Sequence, residues 1–290
     1  MKLANKNTIV TGGTLGLGQA IVREFLTEGA NVLFCARSEA SLGEARGVLT
    51  PLLRSGQKLV AIPCDVSVPQ QVEAMFTRFV EEFDTLDVLV NNAGVYGPKG
   101  PTQSVAWEEW TRAMEINLYG TLLPCRAAIP LMKRGSRGKI INISGGGATN
   151  PLPFLSAYAA SKAAVVRLTE TLAEELRDFQ IDVNAVAPGA LNTRFLDEVL
   201  EAGPSMVGEA LYKKSIQQAE AGGVPPAVGA RACVYLASEA SNGITGKLIA
   251  AQWDPLGDLH THLDELLRSD IYTLRRIVPK DRGKSWGNDK

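Results

Sequence analysis

Cysteine is scarce and scattered in this chain. The four that occur, Cys35, Cys64, Cys125 and Cys233, form no C-x-x-C pair, so neither a disulfide framework nor a cysteine-held zinc site is expected. Histidine is scarcer. His260 and His262 stand at i, i+2, a spacing that keeps two ligands off one helix face, and no metal is expected there. An excess of charge of either sign is missing too. The 30 Lys and Arg are matched by 31 Asp and Glu, which argues against an electrostatic nucleic-acid binder. No apolar run reaches membrane-spanning length. Met1-Lys-Leu-Ala-Asn-Lys-Asn7 runs straight into a strand without the pattern of a signal peptide, so the expected location is cytoplasmic. What is present, 290 residues with 45% hydrophobic content, suffices for a large core in one domain.

Apolar strand candidates at 8–10, 31–36, 58–63, 86–90, 139–143, 182–187 and 247–251 alternate with helical stretches near 16–28, 39–55, 69–84, 104–133, 154–179 and 227–237. Continuous apolar strands separated by helices predict an α/β domain over 1–255, with a parallel sheet covered on both faces. Two segments break the alternation. Residues 191–226 contain Gly203-Pro204, Gly222-Gly223 and Pro225-Pro226, and a long excursion at the ligand-binding edge suggests a substrate lid. Residues 256–290 form a C-terminal extension, with an amphipathic helix expected over 259–268. Its apolar residues, such as Leu259, Leu263, Leu266 and Tyr272, need a cover, and a neighbouring subunit is the expected one.

Two motifs carry chemistry. The β-branched run Asn7-Thr-Ile-Val-Thr11 is followed by Gly12-Gly13-Thr14-Leu15-Gly16-Leu17-Gly18 and then a helical pattern. A strand, a glycine turn and a helix N-terminus make an anion site, because backbone amides and the positive helix end face a phosphate. Farther along, Tyr158 and Lys162 stand four apart in a helical stretch, on one face and one turn apart. A cation beside a phenol favours the phenolate and is expected to pull its pKa toward neutrality. A phenol so tuned can pass a proton to or from a carbonyl or alcohol oxygen.

With these motifs, Asn91-Asn92-Ala93-Gly94 after the fourth strand, Asn117 in Ile116-Asn117-Leu118-Tyr119-Gly120, and Pro188-Gly189 with Thr193 occur in one order. In that order and spacing, over roughly residues 4 to 250, the chain resembles the short-chain dehydrogenase/reductase family. The resemblance implies a Rossmann-like doubly wound fold. It implies cofactor contacts from Gly12, Thr14, Leu15, Gly16 and Leu17, from Arg37, Asp65 and Val66, from Asn92, Ala93 and Gly94, and from Pro188, Gly189 and Thr193, beside Tyr158 and Lys162. Asp65 would accept a bond from the adenine amino group. Tyr158 would be the general acid in reduction and the base in oxidation. Lys162 would lower its pKa and bind the nicotinamide ribose, and Asn117 would hold a relay water.

Cofactor choice turns on the end of the second strand. NAD enzymes commonly carry an acidic residue there, whereas this chain has Ala36 and then Arg37, whose planar fork suits a 2′-phosphate. NADP is therefore expected, with NAD possible. Leu15, at a position often basic in NADP-using relatives, speaks less strongly. One departure from the family is plain. The serine expected thirteen residues before Tyr158 is Gly145, and Ser144 stands one residue early. In a regular strand Ser144 faces the opposite way, although three successive glycines could bend it round; Ser144 is the best candidate for that role, and a backbone N–H, Thr149 or Asn150 are the alternatives.

The expected activity is hydride transfer between NADP(H) and a carbonyl or secondary alcohol, most like a 3-oxoacyl-type ketone reductase. Leu196, Val199, Leu200, Met206, Val207 and Leu211 of the lid would take an acyl chain. Lys213 and Lys214 keep open a sugar or nucleotide-sugar substrate, and Gly145 keeps open a cofactor-binding regulator or scaffold with little turnover. The family commonly forms homodimers or homotetramers through helices equivalent to 104–133 and 154–179. The expected partners are thus a small-molecule substrate and like subunits, with no nucleic acid and no membrane.

Overall fold

The computed structural model describes residues 1–286; the last four residues of the charged tail, 287–290, lie outside the described residues. Seven strands form one sheet: β1 (Asn7–Thr11), β2 (Asn31–Ala36), β3 (Leu59–Pro63), β4 (Val88–Asn91), β5 (Gly138–Ile143), β6 (Ile181–Ala187) and β7 (Leu248–Ala250). Every pairing is parallel, in the order β3-β2-β1-β4-β5-β6-β7. The strands are apolar without interruption because both sheet faces are covered, and successive residues leave on opposite sides. Val10, Phe34, Val90 and Ile141 enter the core with α1 (Gly16–Thr27) and α10 (Pro226–Ala237). Their neighbours Ile9, Leu33, Leu89 and Ile140 enter the core with α3 (Pro69–Glu82), α5 (Gly120–Met132) and α6 (Ser156–Leu176). This is the Rossmann-like doubly wound arrangement. Strand order reverses between β1 and β4, which opens a crevice beyond their C-terminal ends.

Several elements differ from the sequence reading. Helix α2 (Glu39–Leu49) stops short of residue 55 and tightens into a 3₁₀ turn at Thr50–Leu52, where Pro51 removes an amide donor. The stretch 104–133 is not one helix. It is α4 (Trp107–Met114), a wide π-type turn at Glu115–Tyr119, and α5. The excursion 191–226 is itself helical: α7 (Arg194–Ala202), α8 (Pro204–Val207) and α9 (Glu209–Ala221). A Leu191–Val224 bridge closes its base.

The extension packs in part on its own subunit. A 3₁₀ turn at Leu259–His262 leads into α11 (Leu263–Arg268), and Leu259 and Leu266 are buried in the core of α1 and α10. The following segment lies along the outer edge of β7. Leu248 N–H donates to Tyr272 O at 2.8 Å, and Lys247 Nζ donates to Ser269 O (3.1 Å) and Ile271 O (3.0 Å). Leu274 N–H donates to Glu170 Oε1 of α6 at 2.6 Å. An open strand edge and an unfilled core margin on its own subunit thus accept part of the tail's apolar surface, while Leu267, Ile271 and Ile277 stay exposed. Trp107 and Trp253 are 70% and 77% exposed on this chain. Among the described residues no helix is long and apolar enough to cross a membrane.

Candidate functional site

The glycine turn wraps the C-terminal end of β1. Gly12 (φ 66°) and Gly16 (φ 53°) hold left-handed backbone that a side chain would strain. At Gly18 an added Cβ would lie 2.0 Å from Gly12 O, so only glycine lets α1 begin this close to the strand. The first amides of α1 have no side-chain cap, and the residue before them, Leu15, is extended and 63% exposed. Uncapped amides at a helix N-terminus are donors for an anion. Thr14 and Leu17 are buried beneath the turn. The loop after β4 anchors it: Thr11 Oγ1 accepts from the N–H groups of Asn92 (3.0 Å) and Ala93 (3.1 Å). Asn92 Nδ2 in turn donates to Thr11 O and Gly12 O, both at 3.0 Å. The loop after β6 closes the other side. Thr193 abuts Gly16, Pro188 and Leu17 meet at Gly229, and Gly189 turns with φ 96°.

Arg37 and Asp65 flank the crevice beyond β2 and β3. Arg37 is exposed and has no carboxylate partner among the described residues. Asp65 is committed elsewhere. Its Oδ1 accepts from Ser67 N–H (3.0 Å) and Ser67 Oγ–H (2.5 Å), and its Oδ2 pairs with Arg112 Nη2 at 2.6 Å. Burial alone would raise this carboxyl, but the Ser67 bonds and the Arg112 guanidinium outweigh it and hold it below the ordinary value. The carboxylate therefore meets its strongest partner within the chain, where an adenine amino group was expected. Val66 packs against Gly120, where an added Cβ would come within 2.6 Å of its side chain.

The groups suited to proton transfer converge beyond β4 and β5. Asn117 lies in the wide turn and is fully buried. Its Oδ1 accepts from Val95 N–H (2.8 Å), and its Nδ2 donates to Val95 O and Ser161 Oγ, each at 2.9 Å. Ser161 Oγ–H donates to Tyr158 O at 2.8 Å, tying the wide turn to the start of α6. Lys162 Nζ donates to Ile143 O at the end of β5 (2.8 Å). Gly94 leaves room beside both: an added Cβ would lie 3.1 Å from Asn117 Oδ1 and 3.5 Å from Lys162 Nζ. Burial pushes the Lys162 ammonium down to about 8. Tyr158 goes the other way. Its ring is 8% exposed, Lys162 Nζ lies 5.8 Å from the ring centroid, and burial, with Tyr96 adding to it, raises the phenol above its ordinary value. The expectation of a phenol lowered by Lys162 is not met: burial, with Tyr96 adding to it, raises the phenol.

Position 145 faces Tyr158. An added Cβ there would lie 2.4 Å from the tyrosine hydroxyl, so glycine is what the present position of the phenol requires. Gly145 is extended (φ −177°, ψ 173°), so the strand does not bend at this residue. Ser144 is buried, and its hydroxyl has no hydrogen-bond partner among the described residues.

Four participants escaped the sequence reading. Arg112, the partner of Asp65, is one. Ser161 had a signal, since it lies between Tyr158 and Lys162 and faces Asn117. Tyr96 and Phe195 had none. They come from the loop after β4 and from α7 and meet Tyr158 edge-on, with centroids 4.7 Å apart for Tyr96–Tyr158 and 4.6 Å for Tyr96–Phe195.

Comparison with known proteins agrees with this geometry. The family model described as short chain dehydrogenase matches residues 6–203. The chain is 38% identical over 250 residues to 3beta-hydroxysteroid dehydrogenase 1 of Eggerthella lenta, covering 84% of this chain and 91% of that protein. It is 34% identical over 247 residues to glucose 1-dehydrogenase 2 of Bacillus subtilis, covering 84% and 92%. Among solved structures, levodione reductase superposes with a TM-score of 0.78 at 26% identity, over 89% of this chain and 99% of that one.

Proposed function

The chain belongs to the short-chain dehydrogenase family, an oxidoreductase family acting on alcohol and ketone groups, and on that premise we propose that it moves a hydride between NADP(H) and a small-molecule carbonyl or secondary alcohol. The observation that carries the reading is the convergence of Tyr158, Lys162, Asn117 and Ser161 at the mouth of the glycine turn. A nicotinamide dinucleotide fits these residues. The uncapped amides of α1 and the bare backbone at Gly12 and Gly16 suit its pyrophosphate, and Lys162 with Gly94 suits the ribose end. When bound, the cofactor supplies or takes the hydride.

The chain's own residues handle the proton. The Tyr158 hydroxyl gives it to the substrate oxygen in reduction and takes it back in oxidation. With a pKa near 8, Lys162 stays largely charged at neutral pH and favours the phenolate once substrate and cofactor close the cleft. Asn117 holds the proton path behind them in place. Preference for NADP(H) rests on Ala36 and Arg37: the strand end carries no carboxylate to repel a 2′-phosphate, and the Arg37 guanidinium, without a carboxylate partner among the described residues, is suited to it. Residues 191–226 serve as the lid, and exposed Trp107 and Tyr119 on and after α4 favour assembly with like subunits. A 3-oxoacyl substrate, a sugar and a cyclic ketone all fall within this reaction.

The test is a steady-state assay on a ketone panel with NADPH and NADH. Tyr158→Phe keeps the ring and deletes the hydroxyl, and turnover is expected to fall ~10²–10⁴-fold with NADPH affinity retained. Wild-type speed in that variant would make Tyr158 structural. Cofactor binding without turnover of any ketone would favour the regulator reading that Gly145 keeps open.

A further inference from the structure

The approach to the Tyr158 hydroxyl is closed by aromatic rings. Tyr96 meets Tyr158 edge-on, at 78° and 4.7 Å between centroids. Phe195, in the first turn of α7, lies over Tyr96 at 4.6 Å and 30°, and stands 6.4 Å from Tyr158. Tyr158 is 8% exposed, and these rings are part of what covers it. Phe195 is the ring that can leave, because it rides on the helix at the base of the lid. The wall continues in apolar groups, with Met206 and Val105 against Gly100 and Phe154 against Gly208.

The charged groups nearby are already paired with one another, while the Ser144 hydroxyl is without a partner among the described residues. Lys99 Nζ and Glu198 Oε2 pair at 3.1 Å, partly buried, and Arg194 pairs with Glu198 from the outside. Beside Tyr158, Gly145 offers only backbone. A polyhydroxylated substrate would therefore give up its water without finding enough partners. A phosphate-bearing carrier meets an unfavourable field on α7, where Lys99 and Arg194 both pair with Glu198 and leave Asp197 and Glu201 without a basic partner among the described residues. When Phe195 moves back from Tyr96, a flat or compact ring can enter between the two and pack on both.

We propose that Tyr96 and Phe195 form an aromatic clamp that selects uncharged ring ketones, with the reacting carbonyl in the ring or directly on it. This rests on the reductase reading above and names the substrate class for the same site.

The experiment measures NADPH-linked kcat/KM of the full chain on 2-decalone, on acetoacetyl-N-acetylcysteamine as a linear 3-oxoacyl thioester, and on acetone. Glucose with NADP+ is assayed in the oxidative direction. Decalone is expected to exceed the thioester and glucose by tenfold or more. Tyr96→Leu and Phe195→Leu are each expected to lower kcat/KM on decalone about tenfold more than on acetone, chiefly by raising KM. Tyr96→Phe keeps the ring and should keep the preference, which separates the clamp from a folding defect. Preference for the thioester or glucose, or an equal loss on decalone and acetone in the leucine variants, would overturn the clamp while the reductase reading stands. No turnover of any ketone, with NADPH or NADH, would overturn both.

Discussion

At Gly145 an added Cβ would lie 2.4 Å from the Tyr158 hydroxyl, so this glycine and that phenol share one space. Gly145→Ser is therefore expected to overpack the site and to destabilise the chain by ~1–3 kcal/mol. The cost should shrink in a Tyr158→Phe background, where the colliding oxygen is gone. Denaturant melts of the two single variants and the double variant measure that coupling. The same cost in both backgrounds would place the strain elsewhere. Arg37 poses a separate single-residue question. If its guanidinium meets a 2′-phosphate, Arg37→Ala should weaken NADPH binding by ~1–3 kcal/mol, as for a charge-assisted hydrogen bond, and leave NADH little changed. Titration calorimetry with both cofactors decides it, and equal losses would remove Arg37 from cofactor choice.

Elements, rather than residues, bring these groups together. The wide turn at Glu115–Tyr119 interrupts what the sequence suggests is one long helix, and Asn117 lies inside that irregularity. Such turns recur at functional positions because they redirect a side chain and a carbonyl that a regular helix would bury in its own ladder. At the other end of the chain, the extension acts as part of the sheet. Its backbone bonds to the edge of β7, and Leu259 and Leu266 complete a core. Truncation after Gly257 should therefore lower the chain's own stability, on the order of 3–6 kcal/mol from the two buried leucines, and leave a strand edge open. Thermal melts and light scattering of the truncated chain check this. An unchanged melting temperature would show that the extension contributes nothing to the fold, and an unchanged melt with a smaller assembly would return it to the subunit boundary.

The molecule as a whole carries a buried ammonium at the centre of its cleft. Lys162 has a folded pKa of about 8 against an ordinary value of 10.5. Below pH 8 it is charged both folded and unfolded, and the full cost of burying the charge is present. As pH rises from 8 to 10.5 the folded chain sheds the proton first, so the folded state gains up to about 3 kcal/mol over that window. The stability of the cofactor-free wild type relative to Lys162→Met should move in favour of the wild type by about that amount between pH 7 and pH 10.5. A difference that stays flat across this range would mean that the ammonium is solvated.

Much of this protein is local and could be read from the chain. Strand and helix positions follow from short-range periodicity, and β2 begins at Asn31 and ends at Ala36 as its apolar run does. Gly12, Gly16 and Gly18 announce the turn, because no other residue tolerates its backbone or its contact with α1. Tyr158 and Lys162 share a face by helical spacing alone. Tertiary structure decided whatever depends on who the neighbours are. Arg112 claims Asp65 from 47 residues away. Tyr96 and Phe195 meet over Tyr158 although 99 residues separate Tyr96 from Phe195 in sequence. The extension finds the edge of β7, and the Tyr158 phenol is raised rather than lowered. Periodicity states which face a side chain leaves from. Partner, burial and local dielectric exist only once distant segments pack, and in this cleft they set the proton affinities and the walls that a substrate meets.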